Sequence, residues 1–186
     1  MIHFNGILVF SSTHPNSEKW YRTKKIYLTW QENGGQDPYV YAFNAEPDYI
    51  PGPSDKKTSE ESIYFEPDKD GTYYFHIVSL AEDNLKLVGH YKIKIDTTPP
   101  ETLSAKSSND KINVGEIVRF EFAGEDKTSG IQKYYYVKID NNDFFPVLSP
   151  LYLSFPEKGI HEVTFRVFDK ANNYRDKTSK IDVSAP

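Results

Sequence analysis

At almost the midpoint of this 186-residue chain stands Asp96-Thr97-Thr98-Pro99-Pro100-Glu101. Two successive prolines, Pro99 and Pro100, remove two backbone donors, fix two φ angles and push Thr98 toward extended backbone. A stiff, extended joint is the expected result. It would separate one domain over 1–97 from a second over 98–186, each within the usual range of about 50–250 residues. The two segments can be laid over one another as two copies of one plan, which points to a tandem repeat of domains.

In the first copy, Ile26-Tyr27-Leu28-Thr29-Trp30 alternates the inward candidates Ile26, Leu28 and Trp30 with outward ones, the period of a strand with one buried face. The turn cluster Asn33 to Pro38 ends it, Tyr39 to Phe43 reads as the next strand, and the proline-rich stretch Glu46 to Glu61 reads as an exposed connection. Ile7 to Phe10, Ile63 to Phe65, Tyr73 to Ser79 and Tyr91 to Ile95 read as further strands. Ser79 to Val88, whose Leu80, Leu85 and Leu87 keep neither a helical nor a strand period, reads as a long loop. The second copy repeats the pattern at Ile117 to Phe122, Ile131 to Ile139, Phe144 to Val147, Leu151 to Phe155, His161 to Phe168 and Lys180 to Val183. There Val163, Phe165 and Val167 share one face, with Thr164 and Arg166 on the other. Composition agrees: Ile, Val and Thr number 36 and the aromatics 28, against 17 for Ala, Leu and Met together. Branched and ring side chains fit a pleated surface and lose rotamer freedom in a helix. Many short strands with turns between them predict an all-β chain of two sandwiches.

Charge and missing residue types narrow the function. A net charge of −5 gives a polyanion no favourable long-range field, so no nucleic-acid partner is expected. No stretch approaches 18 apolar residues, and Met1-Ile2-His3-Phe4-Asn5 lacks a basic region followed by an apolar run, so neither membrane insertion nor a signal peptide is expected within this chain. Zero cysteines exclude disulfides, thiolate metal sites and a Cys nucleophile. There is no Gly-x-Ser-x-Gly elbow, no phosphate-binding Gly-x-x-x-x-Gly-Lys-Ser/Thr loop and no Gly-x-Gly-x-x-Gly turn. The acid pairs Glu60-Glu61 and Asp68-x-Asp70 lie in polar turns where solvation keeps carboxyls ordinary. The chain is not expected to be an enzyme.

Gly71-Thr72-Tyr73-Tyr74-Phe75-His76-Ile77 after Phe65-Glu66-Pro67, closed by Tyr91 to Ile95 and the Thr-Pro-Pro linker, resembles the bacterial Ig-like or fibronectin type III-like repeats of large surface proteins. The second copy is similar to a sister repeat through Ser129-Gly130-Ile131, Gly159-Ile160-His161-Glu162-Val163 and Phe168-Asp169-Lys170-Ala171-Asn172-Asn173. The resemblance implies two tandem Ig-like/fibronectin type III-like β-sandwich domains without a catalytic site of their own. The chain departs from the pattern in carrying Asn172 where the family often has Gly, and Ala81 in the first copy where the second has Asp169. A loop site in the second copy therefore need not recur in the first.

Tyr73 is placed to act as a tyrosine corner, its hydroxyl returning to backbone near Pro67. His161 holds the equivalent place in the second copy. The histidines show no metal-ligand spacing, so zinc is not expected. Calcium is the cofactor to weigh, because hard oxygen donors concentrate in loops that a sandwich gathers at one end. Glu125, Asp126, Asp169 and Asn172 supply four such donors and Asp96 of the linker a fifth. The simpler alternative is that Asp126 and Asp169 hydrogen-bond only their own turns. Trp20 and Tyr49 are candidate rings for stacking on carbohydrate, against the alternative that Trp20 merely packs the first sandwich and Tyr49 lies on a surface where Tyr is favoured. The reading that results is a non-catalytic spacer or adhesive segment of a larger extracellular or cell-surface protein. Its partners would be neighbouring domains of the same polypeptide, with calcium stiffening the joint. The alternatives are a carbohydrate-binding accessory module of a secreted enzyme, with polysaccharide as partner, and an adhesin that takes a protein ligand by strand addition.

Overall fold

The alternating segments form strands because each can lay one face on a core. In a computed structural model describing residues 6–32, 35–81 and 86–185, every regular element among the described residues is a strand. Accordingly, no helix there is long and apolar enough to cross a membrane. Two compact units emerge, 1–97 and 98–186.

Unit 1 holds β1 (Ile7–Ser11), β2 (Trp20–Tyr21), β3 (Ile26–Glu32), β4 (Gly35–Asn44), β5 (Lys56–Thr58), β6 (Ser62–Phe65), β7 (Gly71–Ala81) and β8 (Lys86–Ile95). Unit 2 holds β9 (Thr102–Ser107), β10 (Lys111–Asn113), β11 (Ile117–Glu125), β12 (Ile131–Ile139), β13 (Phe145–Val147), β14 (Leu151–Ser154), β15 (Gly159–Asp169) and β16 (Tyr174–Ser184). A three-stranded sheet, β1-β3-β6, accompanies a five-stranded one, β2-β8-β7-β4-β5, in unit 1. Unit 2 repeats the arrangement strand for strand, with β9-β11-β14 and β10-β16-β15-β12-β13. All pairings are antiparallel except two at sheet edges, β2 with β8 and β10 with β16. The expected pair of all-β sandwiches is what the chain forms.

Each core lies between the two sheets of its unit. Ile26, Leu28 and Trp30 of β3 are buried, as are Val118, Phe120 and Phe122 of β11 and Val163, Phe165 and Val167 of β15. Phe75 sits at the centre of unit 1, its ring 5.7 Å from both Trp30 and Phe65. In unit 2, Phe165 takes that role, 5.4 Å from Phe120 and 4.8 Å from Phe122. On the outer face of β15, the Arg166 guanidinium lies 3.9 Å from the Tyr174 ring centre and 4.3 Å from that of Phe144, and its Nε and Nη2 bond Asp176 at 2.8 Å each.

Three expectations change. The segment 79–88 is not a loop: 79–81 end β7, 86–88 begin β8, and Ser79 pairs with Leu87; 82–85 lie outside the described residues. The strand enters this segment with His76, Ile77, Val78 and Ser79 all buried, so both faces of β7 are covered there and no polar face marks it as a strand. Asn33 and Gly34 of the predicted turn lie outside the described residues, and β4 resumes at Gly35. The 46–61 connection is not wholly exposed: it contains β5, buries Pro51 and lays the Tyr49 ring 5.8 Å from that of His76.

Gly89 marks a tight crossing. A Cβ there would meet the Ile7 carbonyl oxygen at 2.7 Å and Ile7 Cβ and Ile77 Cγ2 at 3.0 Å, so β1 presses on β8 only because the side chain is absent. Gly89→Ala is expected to cost about 1–3 kcal/mol by overpacking against backbone, seen as a lower denaturation midpoint in urea. An unchanged midpoint would show that β1 gives way freely.

Candidate functional site

Loops leaving β11 and β15 meet at one end of unit 2 because Ile131, first in β12, pairs with Asp169, last in β15. Asp126 follows β11 directly. Its Oδ1 accepts the N–H groups of Ser129 at 2.8 Å and Gly130 at 2.7 Å, folding a turn that Gly130 completes at φ 77°. The Gly130 carbonyl then accepts the Lys170 N–H at 2.9 Å and joins the two loops. Asp169 is fully buried. Its Oδ1 accepts the N–H groups of Ala171 and Asn173 at 2.8 Å, and its Oδ2 accepts Asn173 Nδ2 at 2.7 Å. Asn172 closes this turn at φ 70°, a left-handed conformation that Asn adopts more readily than other non-Gly residues.

Both aspartates therefore shape their own turns, yet that does not exhaust them. Asp126 Oδ2 is buried and has no hydrogen-bond partner among the described residues. The two carboxylates bring oxygens within 4.8 Å of one another. Like charges this close, one with a dehydrated oxygen, repel unless a cation or a proton lies with them. Carboxylate oxygens beside loop carbonyls are the donors that suit Ca²⁺.

Of the other expected ligands, Glu125 ends β11 exposed, opposite Thr102. Asn172 Oδ1 already accepts Gln132 Nε2 at 2.8 Å. Asp96 follows β8 in unit 1, buried, its N–H donating to the Tyr21 carbonyl at 2.9 Å. Asn173, which braces Asp169 from both backbone and side chain, escaped the sequence reading; the Asp169-x-x-x-Asn173 spacing was its only signal. Pro99 is exposed, whereas Pro100 is buried and its carbonyl accepts Arg175 Nε.

The Tyr73 hydroxyl donates to the Lys69 carbonyl at 2.8 Å, four residues upstream. His161 does the same with different chemistry: Nε2 lies 3.0 Å from the Glu157 carbonyl, also four residues upstream, and Nδ1 lies 2.7 Å from Asp140 Oδ2. Trp20 and Tyr49 are not brought together. Trp20 lies on edge strand β2, while Tyr49 lies in the β4–β5 connection at the opposite edge of the same sheet, its hydroxyl donating to Asp55 Oδ2 at 2.9 Å.

No protein-family model matches the chain, and no curated protein matches it. Among solved structures, murine CEACAM1b aligns over 96% of this chain and 100% of that one, at 10% identity and a TM-score of 0.52. The fold is that of tandem Ig-like sandwiches. Fibronectin(III)-like modules of Clostridium thermocellum CbhA align over 95% of this chain and 94% of theirs, at 13% identity and a TM-score of 0.47. A structure concerned with host cell surface retention of a 1.5-MDa bacterial ice-binding adhesin aligns over 97% of this chain and 64% of that one, at 13% identity and a TM-score of 0.47.

Three histidines, His14 and His76 in the first Ig-like sandwich and His161 in the second, are tuned in opposite directions. In the first, His14 Nδ1 lies 2.8 Å from Thr13 Oγ1 and Nε2 lies 3.0 Å from the Thr23 carbonyl, a set one neutral tautomer satisfies, and burial holds its pKa below the ordinary value. Burial, then His90, lowers His76 likewise. In the second, both ring nitrogens of His161 face oxygen acceptors, which only the imidazolium satisfies fully, and the hydrogen bond to Asp140 raises its pKa. The stability His161 contributes is thus complete below about pH 6.5, its unfolded value, and is lost as pH rises through the raised folded pKa. Unfolded His14 and His76 bind protons that their folded forms refuse, so their contribution is complete above about pH 6.5 and fades in acid. NMR titration of the imidazoles should find His161 above 6.5 and His14 and His76 below it; the reverse order would refute this reading.

Proposed function

We propose that the chain is a non-catalytic spacer or adhesive segment of a larger extracellular or cell-surface protein, and that its second sandwich is stiffened by Ca²⁺ held between Asp126 and Asp169. The observation that supports the ion is the buried, unpartnered Asp126 Oδ2 beside a second carboxylate within 4.8 Å. A divalent cation there turns mutual repulsion into attraction and pins the 126–130 turn to the 169–173 turn. Two sandwiches in series, each with a core of its own, suit a module whose task is to hold neighbouring domains apart.

An ion that binds only the folded form stabilises it by mass action, by about 2.7 kcal/mol at a hundredfold excess over Kd. Millimolar Ca²⁺ should raise the melting temperature and EGTA should reverse the rise. Asp126→Asn keeps the oxygen that accepts Ser129 and Gly130 but removes the charge. It should therefore raise the metal-free melting temperature while flattening the Ca²⁺ response, and Asp169→Asn should flatten it too. A wild-type melting curve indifferent to both Ca²⁺ and EGTA ends the proposal.

A further inference from the structure

Strand β5 covers β4 only from Tyr39, opposite Thr58, to Tyr41, opposite Lys56. Strand β4 runs on through Ala42, Phe43 and Asn44, and beside this uncovered edge lies a cleft of about 600 Å³. That volume falls within the range of about 300–1,000 Å³ typical of ligand clefts. Half-buried Tyr41, Phe43, Tyr49 and Phe65 supply its aromatic lining; Phe43 is stacked between Phe65 at 4.3 Å and Tyr73 at 5.2 Å and only backs the wall, so the ring surface for a ligand comes from Tyr41, Tyr49 and Phe65. Asn44, Ser54, Asp55 and Lys56 supply its polar groups.

We propose that this cleft binds a segment of an uncharged pyranose polysaccharide. Ring C–H groups of a pyranose carry partial positive charge and lie on the negative faces of aromatic rings, while its hydroxyls need donors and acceptors around the edge. The cleft offers both. Asn44 Oδ1 accepts the Glu46 N–H at 2.9 Å and faces His76 Nε2 at 3.2 Å, so its amide is held in place while the Nδ2 hydrogens have no partner among the described residues. Asp55 is fixed by the Tyr49 hydroxyl at 2.9 Å and the Gly52 N–H at 2.7 Å, which organises the wall before any ligand arrives. Lys56 makes no ion pair among the described residues. One acid and one base give the rim no net charge, which favours hydroxyls over an ionic ligand. An extended peptide is disfavoured because three uncovered residues fall short of the usual strand of about 5–6. Trp20, at the other edge of the sheet, takes no part. The proposal is independent of calcium.

The test is NMR titration of the full ¹⁵N-labelled chain with cello-, xylo-, manno-, chito- and maltohexaose, in EGTA and again with Ca²⁺. At least one hexaose should shift the amides of Tyr41 to Asn44 and Ser54 to Lys56 saturably, with or without Ca²⁺. Tyr49→Phe, which keeps the ring but frees Asp55, should weaken binding about fivefold, the worth of one hydrogen bond. Lys56→Ala, on an exposed edge, should weaken it with the spectrum otherwise intact. No shift across the panel, or shifts confined to residues outside the cleft, overturns the proposal. So does a strand-forming peptide that shifts 42–44 where no sugar does.

Discussion

A three-stranded sheet cannot hide the whole inner face of a five-stranded one, and both halves of this chain live with that inequality. The narrow sheet covers the middle of the wide one. Phe65 of β6 stacks on Phe43 of β4, and Ile7 of β1 presses on Gly89 of β8, so the flanks of the wide sheet are left over. The chain manages those flanks with strands of two or three residues, β2 and β5 in one unit and β10 and β13 in the other. Short edges offer little template for unwanted pairing. They also leave space, and the cleft beside Ala42–Asn44 is where an edge strand stops before its neighbour does.

Much of this was legible in the order of residues, and the reason is burial. Where one face is apolar and packed on the core and the other polar or only partly covered, period-two alternation is unambiguous in the sequence, as in Ile26-Tyr27-Leu28-Thr29-Trp30 and in Val163-Thr164-Phe165-Arg166-Val167. The signal faded in two opposite circumstances. Where β7 is covered on both faces, at 76–79, alternation disappears, and the segment that follows looked like a loop although Ser79 pairs with Leu87. Where a strand is short, as in Lys56–Thr58, there is too little side chain to show a period.

The loop chemistry was legible in part for a similar reason. Asp126 and Asp169 stand out because carboxylates followed by Gly, Asn or Ser announce turns. That Ile131 pairs with Asp169, and so brings two turns more than 40 residues apart side by side, is a matter of register that no local pattern carries. Trp20 and Tyr49 illustrate the converse. Both are aromatic, yet Trp20 lies on edge strand β2 and Tyr49 in the connection leading to β5, and strand order sets β2 and β5 at opposite edges of the sheet.

The pairing of β2 with β8 has a mechanical meaning. Trp20 and Tyr21 run parallel to Lys94 and Ile95, the first in the opening part of the unit and the second in its closing strand. Lys111 to Asn113 stand in the same relation to Asp182 to Ser184. When the two ends of a unit are pulled apart, parallel partners are dragged along their common axis in opposite senses. Every bond between them is then loaded at once, whereas an antiparallel hairpin opens one rung at a time. Under such a load the two parallel edge pairs, β2 with β8 and β10 with β16, would be strained in shear.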